Sequence, residues 1–403
     1  MHILLLNQTF YPDVAATAQY ASDLAAKLVE EGHQVTVISS RRCYVAPQLL
    51  HAWSEEWRGV RILRCPASGF GKDAKWRRAA DFASFLVACA VRALVLTKID
   101  VVISLTTPPL LSALAAVIAR VNGARFVYWV MDLNPDQAIA AGWLEPDSLV
   151  THALNSVLRF SLRRSDEIVV LDRFMATRLA AKGVPPAKLS VIPLWPQDDV
   201  VSFDATAAEE FRRQHGLTGK FVVMYSGNHS PCHPLTTLLD AAKLLVHVPG
   251  IAFCFVGGGS EFPRVQRFAA AQRMDNIRCI PYQPLRGLSA SLSAADLHAV
   301  VMGDPYVGIV HPSKVYNIQQ IGAPFVYIGP ARGPVAELSP ACSFRHGAAT
   351  EVAAFIESFA NQRERRSPVV NYEPRDRQAL LARLISAIGG RQDRGVETAA
   401  VSS

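Results

Sequence analysis

The chain has 403 residues, 50% hydrophobic and 19% charged, which is too apolar for a disordered protein and long enough for two globular domains. Its 41 basic and 34 acidic residues leave a charge of +7, too diffuse to indicate a nucleic-acid-binding surface. The seven cysteines are scattered without a close pair, so no zinc knuckle or redox motif is written in the sequence, and reduced core thiols in a cytoplasmic protein are expected.

His2–Leu6 is a short apolar run suited to a strand buried on both faces. It starts directly after Met1, without the basic leader and long apolar core of a signal peptide. Asn7–Ala16 reads as a loop, Ala18–Glu31 as a helix through Leu24 and Leu28, and Val35–Ile38 as the next strand, together a βαβ unit. Further strands are predicted at Val60–Leu63, Val101–Ser104, Phe126–Val130, Ile168–Leu171 and Leu189–Ile192. Helices alternate with them at Lys75–Lys98, Leu110–Val121, Leu149–Arg164 and Arg173–Lys182, the last capped by Asp172. Such alternation defines an α/β fold with a doubly wound parallel sheet. Val101–Ala119 is uncharged, but Thr106, Thr107, Pro108 and Pro109 divide it into a strand and a helix, so no membrane span is expected.

Two groups of residues in this half invite a functional reading. Arg58, Arg61, Arg64, Lys72, Lys75, Arg77 and Arg78 are interleaved with Trp57, Phe70 and Trp76, a mixture that suits an anionic membrane interface or simply a solvated loop. Met131–Asp136 follows a strand, so Asp132 and Asp136 are expected at the carboxyl edge of the sheet, where one of them would orient or deprotonate a hydroxyl. Plain turn chemistry at Asn134-Pro135-Asp136 is the alternative.

The alternation breaks at Pro193–Phe203, which we read as the interdomain linker, with Asp204 capping a helix over Ala205–His215. A second run then follows: strands Phe221–Ser226, Ile251–Val256, Ile277–Ile280 and Leu297–Val301, with helices Leu235–Val246, Phe262–Met274 and Leu285–Ser293. Two Rossmann-like domains facing across a cleft are therefore expected, over residues 1–197 and 198–365. An amphipathic helix (Arg375–Ile388) and a polar, disordered tail from 391 to 403 complete the chain.

Val307–Pro330 is the stretch most suggestive of chemistry. Pro312 and Ser313 sit where a helix should begin, with the Ser313 hydroxyl placed to cap it, and Gly322 ends that helix before strand Phe325–Ile328. A helix mouth at a sheet's carboxyl edge attracts anions, and Lys314 in the first turn is explained if one sits there. Gly257 and Gly258 after one strand, and Gly227 and Asn228 after another, let backbone approach a ligand on the same edge, with His233 near enough to donate a hydrogen bond.

Asn7–Asp13, Gly32–Val37, Met131–Asp136, Tyr225–Asn228, Ala294–Asp296 and Pro312–Tyr316 give the chain a resemblance to glycosyltransferases of the GT-B fold, family 4, especially bacterial enzymes that build surface polysaccharides on lipid carriers. The resemblance implies a nucleotide-sugar donor, of the UDP-sugar kind, in the C-terminal domain and a lipid-linked or saccharide acceptor in the N-terminal one. It also implies retention at the anomeric carbon without an obligatory metal or other cofactor, and a last helix, within 366–390, that crosses back to the first domain. On this basis donor binding is assigned to Gly227, Asn228, His233, Gly257, Gly258, Tyr282, Pro312, Ser313 and Asn317. Acceptor binding is assigned to Asp13, Ala16 and Thr17, and catalysis to Lys314, Asp132 and Asp136, with peripheral membrane contact through 57–78. The chain departs from many such relatives in having Ile309 and Asn317 at two glutamate positions, and it lacks their arginine–lysine pair after the second domain's first strand, with Asn228 and His233 nearby instead. Ala15 and Ala16 stand in place of glycines. These departures keep two other readings open, a nucleotide-sugar epimerase and a GT-B binding protein with decayed chemistry.

Overall fold

The computed structural model describes residues 1–44, 46, 48–69, 75–196, 201–362, 372 and 376–390, the side chains of 75, 76, 78 and 79 excepted. The expected tail, Phe70, Lys72 and part of the linker lie outside the described residues, as do the side chains of Lys75, Trp76 and Arg78.

The first sheet is built from β1 (His2–Leu6), α1 (Ala16–Glu30), β2 (Gln34–Ser40), β3 (Ser54–Trp57), β4 (Val60–Cys65), α2 (Lys75–Leu94), β5 (Val101–Ser104), α3 (Leu111–Asn122), β6 (Arg125–Trp129), α4 (Asp136–Ala140), α5 (Leu149–Arg164), β7 (Glu167–Val170), α6 (Arg173–Ala181) and β8 (Leu189–Val191). The strand order is β3-β4-β2-β1-β5-β6-β7-β8, and only β3 runs antiparallel to its neighbour. The largely apolar composition of β1, β5 and β7 follows from burial on both faces, as a parallel sheet requires. Helix α6 starts where expected because the Asp172 carboxylate accepts the Met175 N–H.

The second sheet comprises α7 (Ala205–Gln214), β9 (Phe221–Asn228), α8 (Thr236–Leu244), β10 (Ile251–Gly258), α9 (Phe262–Ala271), β11 (Ile277–Ile280), α10 (Leu288–Ser293), β12 (Leu297–Val301), α11 (Lys314–Gln320), β13 (Phe325–Ile328), β14 (Cys342–Phe344) and α12 (Ala349–Asn361). Its order, β11-β10-β9-β12-β13-β14, is parallel throughout. A last helix, α13 (Arg377–Gly389), buries Leu380, Leu381, Leu384 and Ile388 in the core of the first domain, as the resemblance implies. Arg383 donates to the Val191 carbonyl at 3.1 Å and Arg125 to that of Ala387 at 3.2 Å, fixing α13 there.

Chain order reverses between β1 and β5 in one sheet and between β9 and β12 in the other. Those reversals are where open α/β sheets leave a crevice at their carboxyl ends. The two crevices face one another because the domains also share core. Tyr306, Ile309, Val310 and Tyr316 belong to the same apolar cluster as Leu133 and Met175, and the Leu133 N–H donates to the Ile309 carbonyl at 2.9 Å. Among the described residues no helix is long and apolar enough to cross a membrane.

Two local expectations are corrected. The Ser313 side chain makes no capping hydrogen bond, and α11 starts at Lys314 with seven residues, too short for a strong macrodipole. Within the basic–aromatic region, Arg64 is wholly buried, paired with Glu55 at 2.6 Å and bonded to Ser39, while Trp57 stacks on Tyr11 at 4.4 Å. These two residues hold β3 and β4 to the first loop rather than offering a membrane surface.

Candidate active site

The facing crevices form one cleft of about 400 Å³, walled by the loops after β1, β5 and β6 on one side and after β9, β10 and β12 on the other. Gly227, Asn228, His233, Gly257, Tyr282, Pro312, Ser313, Lys314 and Asn317 line its second-domain wall, with Ala16, Thr17 and Asp132 opposite. Gly258 sits just behind that wall, its carbonyl accepting the Tyr282 hydroxyl at 3.3 Å. The glycines are required for contact as well as flexibility. Gly257 has φ +135°, and a β-carbon there would collide with the Gly227 carbonyl oxygen.

Lys314 is the centre of this wall. Its stem is half-buried, while its Nζ is shielded from solvent, makes no hydrogen bond, and rests 3.5 Å from the centroid of the Tyr225 ring. A β-carbon on Gly227 would lie 3.3 Å from that Nζ, so glycine is what leaves the ammonium its berth. Burial pushes the Lys314 pKa well below the ordinary lysine value. The surrounding imidazoles stay neutral. Burial, then the Lys314 charge, bring His233 down to about 3 and His229 to about 4. The His233 ring donates through Nδ1 to the Val301 carbonyl at 2.7 Å, which leaves its other nitrogen an acceptor.

The two carboxylates of Met131–Asp136 part company. Asp132 lies on the cleft wall, tied across the domain boundary by its backbone bridge to Val310, and burial raises its pKa to about 6. Asp136, expected to share its role, is instead the buried partner of Arg178 at 3.2 Å and Lys182 at 2.9 Å. With two cations neutralising it, Asp136 anchors α4 to α6 and does not face the cleft. Asp13 is also drawn away: its Oδ1 accepts the Tyr44 N–H at 2.7 Å beneath the first loop.

Two cleft residues carry no motif that sequence reasoning could use. Tyr44 enters the wall from the loop after β2, its phenol pKa raised by burial and then by Asp132 and Asp13. His311 precedes Pro312 and is held at Nδ1 by Asp172 (2.8 Å) and at Nε2 by the Tyr316 hydroxyl (2.6 Å). With Asp172 accepting from Nδ1–H and the phenol donating to Nε2, this chain pins α11 to α6 across the cleft.

Residues 16–195 match the family of glycosyl transferase 4-like domains. Over 336 residues the chain is 25% identical to the putative colanic acid biosynthesis glycosyl transferase WcaI of Escherichia coli K12, covering 80% of this chain and 82% of that one. It is 27% identical over 217 residues to the probable glycosyltransferase WbjE of Pseudomonas aeruginosa, covering 54% of each. Among solved structures, Anabaena HepE in complex with UDP and glucose superposes with a TM-score of 0.68 at 15% identity, covering 97% of both chains. WaaG, a glycosyltransferase of lipopolysaccharide biosynthesis, gives a TM-score of 0.64 at 13% identity over 96% of this chain and 100% of its own.

Two facing parallel-sheet domains with a returning C-terminal helix give the chain the GT-B fold. The family match covers the first domain, and the relatives the chain aligns with are named as glycosyltransferases.

Proposed function

We propose that the protein is a glycosyltransferase that moves a sugar, with retention, from a nucleoside diphosphate sugar of the UDP-sugar kind to a lipid-linked acceptor in surface-polysaccharide synthesis. The observation that carries the reading is Lys314, a buried amine without a hydrogen bond above the glycine edge of β9 and β10. An ammonium in that place needs an anion, and a diphosphate leaving group supplies one. As the glycosidic bond breaks, charge grows on the phosphate oxygens. Lys314 would meet it in a partly dry site, beside the backbone at Gly227 and Gly257. Asp132, opposite, accepts a hydrogen bond from the acceptor hydroxyl and orients it toward the anomeric carbon.

The relatives favour this donor and setting by what they are: HepE was solved with UDP-glucose, and WcaI is named for colanic acid biosynthesis. A lipid-linked acceptor is favoured over a free saccharide by two apolar features of the first domain. One is a small cavity of about 90 Å³ between α3, α4 and α5, lined by Pro108, Leu110, Leu144, Leu154 and Leu158. The other is an exposed ridge of Val87, Val91 and Leu94 on α2, which would rest on the inner face of the membrane.

Turnover of a UDP-sugar by Lys314→Ala tests the reading. Losing the cation should lower the rate about a hundredfold or more, equivalent to about 2–4 kcal/mol of transition-state stabilisation. Near-wild-type turnover by a folded variant would refute it.

A further inference from the structure

We propose that Asp13, Cys43 and His51 form a binding site for a divalent transition-metal ion of the zinc class, separate from the transfer cleft. The three residues come from two loops. Asp13 follows β1, while Cys43 and His51 stand on the two arms of the loop after β2. Those arms are joined by the antiparallel Arg42–Leu50 bridge, by Cys43 N–H to Leu49 O at 3.1 Å, and by His51 N–H to Arg41 O at 2.8 Å. One ligand atom from each residue (a carboxylate oxygen, a sulfur and an imidazole nitrogen) lies within 4.8 Å of the other two. In tetrahedral zinc sites, bonds of about 2.0–2.3 Å put ligand atoms roughly 3.3–3.6 Å apart. Closing the cluster onto an ion therefore takes side-chain adjustments of about 1 Å.

The second observation is electrostatic. The Asp13 side chain is fully buried, and although Oδ1 accepts the Tyr44 N–H, Oδ2 has no hydrogen-bond partner. The His51 Nε2 is buried without a hydrogen bond too, 3.8 Å from Asp13 Oδ1, too far for a proton to bridge the pair. A buried carboxylate oxygen and imidazole nitrogen left unsatisfied side by side are costly, and a shared cation satisfies both. One carboxylate and one thiolate neutralise a divalent ion. The nearby guanidinium groups are engaged elsewhere: Arg41 on the His51 carbonyl and the Trp53 ring, Arg42 on the Ala67 carbonyl.

A mixed sulfur, nitrogen and oxygen set selects zinc or cobalt over magnesium or calcium, and a water fills the fourth position. Binding displaces the Cys43 thiol proton to solvent as the metal–thiolate bond forms. The bound ion clips the loop after β2 to the loop after β1. Because Tyr44 is next to Cys43, the clip also fixes one wall of the cleft.

The test uses the full chain, reduced and stripped with a chelator, titrated with Co²⁺ and then Zn²⁺. Expected is one cobalt per chain with a thiolate-to-cobalt charge-transfer band, displaced by zinc. Cys43→Ser should abolish the band, His51→Gln should weaken zinc roughly tenfold or more, and Cys279→Ser should change neither. Circular dichroism of each variant separates loss of the site from loss of the fold. No stoichiometric binding by the wild type overturns the proposal, as does a band that persists in Cys43→Ser or disappears in Cys279→Ser.

Discussion

Asp132 and Asp136 leave the same strand end four residues apart, yet one faces the cleft and the other is clamped by Arg178 and Lys182. Burial holds the Asp132 carboxyl at about 6, above its ordinary value, so it is ionised only above that pH. Accepting the acceptor's hydroxyl needs the ionised form. Turnover should therefore fall as pH drops through about 6, and Asp132→Asn should lower the rate about a hundredfold or more while removing that acidic limb. A pH–rate profile of the two proteins measures both effects, and an unchanged limb in Asp132→Asn would assign it to another group. Asp136→Asn should act on stability instead. It leaves two cations without their buried partner, at a cost of about 1–3 kcal/mol in denaturant titration, with turnover per folded molecule nearly intact.

At the scale of elements, β12 and the loop after β9 keep three histidines neutral: His229 and His298 at about 4 and His233 at about 3. All three values are lowered from the ordinary 6.5, so on acidification the unfolded chain takes up these protons first. The stability they confer is complete above pH 6.5 and drains away between 6.5 and about 4, by about 1.4 kcal/mol per pH unit for each histidine. Urea titrations at pH 7 and pH 5 should show the loss. In His298→Gln, which keeps a donor for the Leu292 carbonyl that His298 meets at 3.0 Å, the slope should shrink by about a third. The strands of this domain were legible in the sequence because buried parallel strands are unbroken apolar runs, as Ile251–Val256 and Phe325–Ile328 are. Edge strand β3, with the sequence Ser-Glu-Glu-Trp, has no such run, and its pairing depends on Arg64 reaching Glu55. The glycine edges and Lys314 were legible as well, since each follows a strand end. Tyr44, His311 and the Asp13–Cys43–His51 cluster were not, because loop residues meet only when two βα units are folded against each other.

At the scale of the whole molecule, the cleft opens between the domains while α2 and α3 lie side by side on the flank of the first sheet. On α2, Val87, Val91 and Leu94 recur at helical spacing and are 65, 61 and 80% exposed, and on α3 Val121 is 75% exposed. The opposite side of α2 buries Phe85, Cys89 and Ala93, so this helix is apolar on both faces and only one of them is used by the fold. Arg77 near its start and Arg120 on α3 are exposed as well, and basic residues on apolar helices suit a surface of anionic lipid. Placing this flank on a membrane would bring a lipid-linked acceptor to the first-domain wall that carries Asp132. Burying a large apolar side chain contributes about 1.5–3 kcal/mol. The double substitution Val91→Glu, Leu94→Glu should accordingly reduce co-sedimentation with phosphatidylglycerol vesicles roughly a hundredfold. Transfer to a short, water-soluble acceptor should be unaffected, because neither residue reaches the cleft. Equal vesicle binding by the wild type and the variant would remove the ridge from the docking surface, and a matching loss with the soluble acceptor would show that the substitutions damaged the fold instead.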